Sequence, residues 1–206
     1  CIIIVIKEVV PMRNKWFVSL LMVVVMMCAC WTGAVAEEVR KTFTSGAYSC
    51  VLLDDGTVEI ERYYGSATDF VIADTIDGKK VTAIGEGAFR YYTSMTSVII
   101  PDSVTAIGEK AFYECKSLTS VTIPESVTSI GDYAFCSCKS LTSVTIPNSV
   151  TAIGNYAFFA CDSLTNITIP DSGVQIGANP FAYCGNLRSI SVSPDHPYPV
   201  SYTHLT

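Results

Sequence analysis

A period of 23 residues runs through the chain between residues 84 and 184, and it constrains the fold more than any other feature. Five segments align at this spacing, and four columns keep a nearly constant residue type. The columns are Ile84, Ile107, Ile130, Ile153 and Ile176; Gly85, Gly108, Gly131, Gly154 and Gly177; Phe89, Phe112, Phe135, Phe158 and Phe181; and Tyr92, Cys115, Cys138, Cys161 and Cys184. A fixed period of this length indicates stacked structural units, because one unit alone is too small to bury its apolar residues.

The unit of residues 118–140 shows what each position requires. Val121 and Ile123 alternate with Thr122, which predicts a half-buried strand. Pro124 lacks the N–H that a strand ladder needs, so the strand ends there. Val127 follows in an extended segment and points inward with the isoleucine column. The pattern therefore predicts a β-rich solenoid with one short parallel strand in each 23-residue coil.

A second segment of the unit is predicted to turn. Gly131 permits a bend that a side chain would hinder. Asp132, or Asn155 in the next unit, is placed to cap a short helical turn that carries Ala134 and Phe135. Stacked units would then place each phenylalanine on the next, so that one core runs the length of the array.

The motif I-G-x-x-A-F-x-x-C-x-S-L-T-S-V-T-I-P resembles the BspA-like leucine-rich-repeat family of bacterial surface proteins. The resemblance covers residues 78–194. It implies a leucine-rich-repeat solenoid that is secreted or displayed on the bacterial cell surface. It also implies adhesion to host or microbial surface and extracellular proteins.

Segments outside the repeat have their own patterns. Residues 1–11 are interpreted as non-native upstream translation, because Met12 is a better start. Residues 12–36 are predicted to be a signal peptide, with two basic residues, an apolar run and small residues at 34–36. A retained membrane anchor and a lipid anchor on Cys28 or Cys30 are the alternatives. Residues 195–206 break the period and are interpreted as a truncated and partly artefactual tail.

Residues 37–77 are predicted to form an N-terminal β cap on the solenoid of residues 78–194. Two alternating segments, 48–53 and 57–62, flank Asp54-Asp55-Gly56 and predict a hairpin. Residues 70–73 would add a third strand to it. Such a cap would cover the first coil, whose apolar end would otherwise face water.

The charge of the chain disfavours two classes of partner. Residues 37–206 contain ten Lys and Arg against eighteen Asp and Glu, and the basic residues do not cluster. Nucleic acid and anionic membrane surfaces are therefore not expected as partners.

Cysteines could suggest metal, redox or disulfide chemistry, but four of them belong to the repeat. Successive column cysteines lie one coil apart, so four of them cannot converge on a tetrahedral ion. We interpret them as buried packing thiols, with disulfides between adjacent coils as the alternative. Cys136 is outside the column and is predicted to face outward as a free or intermolecular thiol, as Cys50 also could.

Catalytic, metal and cofactor sites are not expected. Residues 37–206 contain two histidines, His196 and His204, and both follow the last repeat. Neither has a serine or cysteine nucleophile and a carboxylate near it in sequence. Glycines belong to the repeat columns rather than to a phosphate-binding loop. We therefore expect a protein without enzymatic activity.

The candidate ligand site is the outward side of the predicted strands. Its residues alternate with the buried ones and form a flat, uncharged surface that is rich in hydroxyl groups. They are Ser97, Ile99, Ser120, Thr122, Ser143, Thr145, Asn166, Thr168, Ser189 and Ser191. Two alternatives stay open: these residues only keep the sheet soluble, or binding uses the variable positions Tyr91, Tyr113, Glu114, Phe159 and Asp162.

Two functions are consistent with these features. The first is a monomeric secreted or cell-surface protein that mediates adhesion or protein–protein interaction. The second is a scaffold or targeting repeat region within a larger surface protein whose enzymatic or anchoring domain is missing here.

Overall fold

A computed structural model describes residues 40–170 and 173–192. The predictions for residues 1–11, residues 12–36 and the 195–206 tail lie outside the described residues, as do the ends of the cap and solenoid segments. Within the described ranges the chain forms strands and turns and contains no helix. The strands are β1 (Lys41–Ser45), β2 (Tyr48–Leu52), β3 (Val58–Tyr63), β4 (Asp69–Val71), β5 (Thr75–Ile76), β6 (Lys79–Ile84), β7 (Ser97–Ile99), β8 (Ala106–Ile107), β9 (Ser120–Thr122), β10 (Ser129–Ile130), β11 (Ser143–Thr145), β12 (Ala152–Ile153), β13 (Asn166–Ile169), β14 (Gln175–Ile176) and β15 (Ser189–Val192).

The N-terminal cap is an antiparallel sheet of β1, β2 and β3. The predicted hairpin lies between β2 and β3, and the Gly56 N–H donates to the Leu53 carbonyl at 3.0 Å. Strand β3 then pairs in parallel with β6, which joins the cap to the first coil. Hydrogen bonding thus continues from the cap into the solenoid.

The third strand of the cap is β1, and the prediction that residues 70–73 would supply it is wrong. Those residues lie in and after β4, which pairs in parallel with β7 of the first coil. The reason is the side chain of Phe70, which is buried against Tyr63 and Phe89 with ring centroids 4.5 and 5.6 Å away. Phe70 thereby extends the phenylalanine core instead of the hairpin.

Each coil contributes to a parallel ladder at the predicted strand. This ladder comprises β4, β7 and β9 in one sheet and β11, β13 and β15 in another. The register advances by one repeat per strand, as in the pairing of Ser97 with Ser120 and of Ser143 with Asn166. The predicted parallel solenoid is confirmed.

A second ladder accompanies the first, so a coil has two short strands where the prediction had one. It runs from β6 through β8, β10 and β12 to β14 and centres on the isoleucine column. Ile130, for example, pairs with Ile107 on one side and Ile153 on the other. The strands β8, β10 and β12 have two residues each, which is too short for a period-2 pattern to identify.

The predicted helical turn is instead a run of tight turns, and that part of the prediction is wrong. The Ala134 N–H donates to the Gly131 carbonyl at 3.3 Å, but the Phe135 N–H donates to Ala157 of the next coil at 2.7 Å. Asp132 does not cap its own turn, since its carboxylate accepts from the Asn155 N–H at 2.6 Å across the coils. Hydrogen bonds between coils are thus present where a helix would have hydrogen bonds within one coil.

Alternating backbone conformations allow these turns to stack. Two positions per coil have positive φ, between 53° and 63° at the non-glycine residues of the first four coils. They are Gly87, Lys110, Tyr133, Tyr156 and Asn179 in one column and Tyr91, Glu114, Ser137, Ala160 and Tyr183 in the other. Most L-residues avoid this region for steric reasons, so the inter-coil bonds must hold it.

The core is a stack of rings flanked by aliphatic columns. Phe89, Phe112 and Phe135 are nearly parallel, with centroids 5.1 Å apart at each step. Phe158 and Phe181 continue the stack at 5.2 and 5.9 Å. Residues of the isoleucine and cysteine columns surround it, and those of the middle coils are buried. Because these large side chains recur every 23 residues, they form a continuous apolar interior along the stack of coils.

Hydroxyl groups add a further set of bonds between coils. In two rows, each threonine Oγ1 donates to the carbonyl of the threonine one coil earlier. The donors are Thr105, Thr128 and Thr151 in one row and Thr119, Thr142 and Thr165 in the other, at distances of 2.9 to 3.3 Å. These threonines therefore stabilise the stack rather than only keeping its surface polar.

Candidate functional site

The sheet face is the outward side of the first ladder. All ten predicted ligand-binding residues lie on it, alternating with the inward residues Val98, Val121, Val144, Ile167 and Ile190. Ser97 and Thr168 are half-buried. The other eight are exposed: Ile99, Ser120, Thr122, Ser143, Thr145, Asn166, Ser189 and Ser191.

Strand β4 adds two residues to the sheet face that the sequence reasoning missed. Asp69 aligns with Ser97, and Val71 aligns with Ile99. The side chains of Val71 and Ile99 are 64% and 47% exposed, which makes them an apolar pair at one end of a hydroxyl-rich surface. The sequence contains a signal for this placement, because successive side chains of a strand point to opposite faces, so an inward Phe70 puts Val71 outward. The nearby hairpin pattern nevertheless favours the cap for residues 70–73.

Asp69 has a defined role at this end of the face. Its Oδ1 accepts from Ser97 Oγ at 2.7 Å and from Thr96 Oγ1 at 2.8 Å. The bond from Ser97, followed by that from Thr96, holds the pKa of Asp69 below its ordinary value. The carboxylate therefore fixes the first hydroxyls of the array.

The area of the sheet face limits what it can bind. Six strands about 4.8 Å apart, each three residues of about 3.3 Å long, give a surface of roughly 300 Å². A stable protein interface buries about 800 Å² per partner. The sheet face alone is thus too small for a tight single contact.

A second exposed surface lies along the stacked turns and includes the alternative binding positions. Tyr91 and Tyr113 contact each other edge to face, with centroids 5.6 Å apart. Phe159 contacts Tyr156 and Tyr183, at 5.6 and 5.0 Å. Two ion pairs cross this region, Lys116–Glu114 at 3.0 Å and Lys139–Asp162 at 3.4 Å.

The cysteine column lies inside the solenoid. Each Sγ donates to the phenylalanine carbonyl of the preceding coil: Cys115 to Phe89, Cys138 to Phe112, Cys161 to Phe135 and Cys184 to Phe158, at 3.1 to 3.2 Å. Burial raises the pKa of the Cys115 thiol to about 12 and that of Cys138 well above its usual value. A protonated thiol in this position is a small hydrophobic residue with one satisfied donor.

The outward orientation predicted for Cys136 is wrong. Its side chain is 4% exposed, and burial raises the pKa of its thiol. Cys50 is also fully buried, and burial raises its pKa to about 11. All six cysteines of the described residues are free thiols. Sequence variability at position 136 indicated a surface position, but the neighbouring coils cover it.

Differential alkylation should separate the column cysteines. Cys115, Cys138 and Cys161 are buried and should remain unmodified by iodoacetamide at pH 8, whereas the half-buried Cys184 should react first. The reason is that alkylation needs an accessible thiolate. Peptide-resolved mass spectrometry of native and urea-treated samples measures this. Native labelling of Cys138 at the rate of Cys184 would contradict the burial of the column.

Within the described ranges, no cluster of three or more His, Cys, Asp or Glu side chains is placed to hold a metal ion. A polar depression of about 370 Å³ on the cap is lined by Arg40, Glu59, Glu61, Arg62, Tyr64 and Glu86. His196 and His204 lie outside the described residues. The described part of the chain offers no apolar helix that could span a lipid bilayer.

Solved structures that are similar to this chain include bacterial leucine-rich-repeat proteins. A leucine-rich-repeat protein of T. pallidum is 27% identical, with a TM-score of 0.66 over 73% of this chain and 82% of that one. One from Bacteroides ovatus is 34% identical, with a TM-score of 0.65 over 72% and 40%. A leucine-rich cell surface protein of Faecalibacterium prausnitzii is 29% identical, with a TM-score of 0.51 over 76% and 56%. A search of curated protein sequences found no match.

Sequence comparison with family models identifies the repeat itself. The BspA-type leucine-rich-repeat region matches residues 80–198 in six copies, which is more than half of the chain. The matched span contains the isoleucine, glycine, phenylalanine and cysteine columns and most of both strand ladders. The resemblance predicted from the repeat motif is confirmed, and the chain belongs to the family of BspA-type leucine-rich-repeat proteins.

Proposed function

We propose that the chain is a secreted or cell-surface interaction protein whose sheet face contacts other extracellular proteins. The observation that carries the proposal is the exposed apolar pair of Val71 and Ile99 beside two columns of short polar side chains. Exposed aliphatic residues on an otherwise polar sheet can anchor a partner by burial. Such a role does not involve catalysis by the described residues.

The character of the sheet face supports this role. Serine and threonine have few rotamers, so little side-chain entropy is lost when a partner docks on them. Parallel ladders and the threonine bonds hold the backbone beneath them. The surface is therefore preorganised for binding.

The small area of the face supports a particular mode of binding. A contact of roughly 300 Å² on one side is weak by itself, because stable complexes bury about 800 Å² per partner. Many copies displayed on one cell, or several contacts to one partner, would raise the overall avidity without new contacts. We therefore propose adhesion by many weak contacts.

Comparisons support an extracellular location. The Faecalibacterium prausnitzii relative is described as a cell surface protein, and it is 29% identical over 76% of this chain. The chain has a formal net charge of −6, which disfavours nucleic acid and anionic membranes as partners. Host or microbial surface proteins are the partner class that we propose.

Two lysines placed on the sheet face test the proposal. In the double variant Thr122→Lys and Thr145→Lys, two long charged side chains stand where the partner would dock. Capture by immobilised extracellular matrix proteins should fall about tenfold, since a docked partner would desolvate these charges. Binding can be measured by surface plasmon resonance on a panel of purified matrix proteins, with serum albumin as the background.

The matched control is Ser66→Lys with Asn148→Lys, which adds the same charge at exposed positions outside the strands of the ladder. It should bind as the unmodified chain does. If both double variants bind equally, the sheet face is not the contact surface. Failure of the unmodified chain to bind any of the panel above albumin would remove the support for adhesion to matrix proteins.

A further inference from the structure

Four aromatic rings form a continuous cluster on the surface of the stacked turns in the third, fourth and fifth coils. Tyr133 stacks on Tyr156 with centroids 5.1 Å apart and planes 14° from parallel. Phe159 meets Tyr156 edge to face at 5.6 Å and Tyr183 at 5.0 Å. The aromatic cluster, defined as Tyr133, Tyr156, Phe159 and Tyr183, thus connects neighbouring coils outside the phenylalanine stack.

The aromatic cluster contributes little to the interior. None of its members belongs to the buried core or to the half-buried residues packed on it. Tyr183 is 77% exposed, which is unusual for so large a ring. The phenylalanine column of the same coils is buried. The cluster is therefore not explained by the packing that holds the solenoid together.

Three of the rings stand in the two positive-φ columns of the stacked turns. Tyr133, Tyr156 and Tyr183 have φ of 56°, 56° and 61°, which non-glycine residues rarely adopt. Other coils place Gly87 and Ala160 in the same two columns. The fold thus does not require an aromatic residue there. A ring that is 77% exposed at such a position, that of Tyr183, points to recognition.

Aromatic rings on the same surface already contact basic side chains of this chain. The Arg90 guanidinium lies 4.6 Å from the centroid of Tyr91, and the Lys110 ammonium lies 5.6 Å from that of Tyr133. Cations are attracted to the negative face of an aromatic ring. In the part of the chain that the structure describes, no lysine or arginine lies over Tyr156, Phe159 or Tyr183.

Negative charge reinforces this preference. The Asp162 carboxylate is 51% exposed and has an exposed partner, Lys139, at 3.4 Å. Asn186 Nδ2 donates to the Asp162 carbonyl at 2.7 Å, which ties this loop to the coil of Tyr183. The net charge of the whole chain is −6. The pair of Asp162 with Lys139 is exposed and therefore weak, so a cation of a partner protein can replace Lys139 beside Asp162.

We propose that Tyr156, Phe159 and Tyr183 bind lysine or arginine side chains of a basic segment in a partner protein, with Asp162 as the neighbouring counter-charge. Arginine is the better fit, because its planar guanidinium stacks on aromatic faces and is weakly hydrated. This surface is separate from the sheet face, so the two contacts are independent and can act on one partner together.

A labelled peptide tests the proposal directly. The probe is a fluorescein-labelled peptide of four Arg-Gly-Ser repeats, and a peptide with glutamine in place of arginine is its neutral counterpart. Fluorescence anisotropy with the full chain should show binding of the arginine peptide and at least tenfold weaker binding of the neutral one. Tyr183→Leu, which keeps an apolar side chain and removes the π face, should weaken arginine-peptide binding about five- to tenfold.

Tyr91→Leu is the matched control. Tyr91 stands in the same column as Tyr183, has a φ of 63° and is 51% exposed, but its ring already faces Arg90. Its replacement should change the affinity less than about twofold. Asp162→Asn should weaken binding about twofold to fivefold at low salt and less at about 0.5 M NaCl, because salt screens an exposed charge.

Several results would overturn the proposal. Absence of arginine-peptide binding, or equal binding of the neutral peptide, would exclude recognition of a cation. An equal loss with Tyr91→Leu and Tyr183→Leu would place the peptide elsewhere. A dimer in analytical ultracentrifugation that Tyr183→Leu dissociates would show that a second copy of the chain occupies the cluster. Circular dichroism of each variant should match that of the parent, which separates a binding loss from unfolding.

Discussion

Phe135→Ala should lower the free energy of unfolding by about 3–5 kcal/mol. The ring is fully buried and is stacked between Phe112 and Phe158, at 5.1 and 5.2 Å. Its removal leaves a cavity in the middle of the stack, and both neighbours lose a contact. Guanidinium denaturation followed by circular dichroism measures the change.

Phe159→Ala is the control for this experiment. Phe159 is adjacent to Phe158 in sequence but is half-buried and outside the core, so its loss should cost less than about 1.5 kcal/mol. Because each coil contacts only its neighbours, the Phe135 variant should also lose hydrogen-exchange protection first in the third coil and the coils beside it. Equal destabilisation by the two variants would contradict a core centred on the phenylalanine stack.

Gly131→Ala should destabilise the chain by about 2–4 kcal/mol, although alanine adds a single carbon. A Cβ at this position would lie 2.6 Å from the Gly108 carbonyl carbon and 2.7 Å from the Glu109 nitrogen. Both are backbone atoms of the adjacent coil, so the coils would have to separate. Thermal and denaturant unfolding of the variant should show this loss.

Gly78→Ala separates steric contact from backbone conformation. Gly78 has a φ of +71°, and a Cβ added there would have no atom of another residue within 4 Å beyond its chain neighbours. Alanine at this position should therefore cost only about 1 kcal/mol, through its left-handed conformation. Gly131 is not among the positive-φ glycines. A loss at Gly131 no larger than that at Gly78 would contradict close coil contact as the reason for the glycine column.

Glycine therefore illustrates where sequence reasoning reached the correct position for the wrong reason. The column predicted a bend at Gly131, whereas the structure shows an ordinary φ and a close approach of backbones. A period reveals that a residue is constrained, but a steric contact between coils depends on their distance. That distance follows from the ladders and not from the residues near Gly131 in sequence.

Residues outside the strict columns were the hardest to place. Cys136 is buried, although its column contains residues as different as Arg90 and Ala182. The second strand of each coil, such as β10, is two residues long and has no pattern of its own. Phe70 is close to the hairpin in sequence, which favours the cap, yet it packs in the core. Each of these placements depends on contacts with a neighbouring coil.

The sheet face could be predicted from the sequence, whereas the aromatic cluster could not. Alternation along a strand was enough to select Thr122 and Thr145 for the outward side, because strand geometry alone sends successive side chains to opposite faces. No alternation relates Tyr156, Phe159 and Tyr183, which come together only when the coils stack. Their binding roles remain proposals that the peptide and lysine variants test.

The amino-acid sequence by itself determined the 23-residue coil, the parallel solenoid, the residues of its core and the family, because apolar residues that recur at one period are buried together when the units stack. Tertiary structure decided the second ladder, the stacked left-handed turns, the burial of Cys136 and the surface on which Val71 joins Ile99. These features arise from hydrogen bonds and close contacts between coils, which involve residues about 23 positions apart. A local pattern does not contain that information, since it depends on how closely one coil lies on the next.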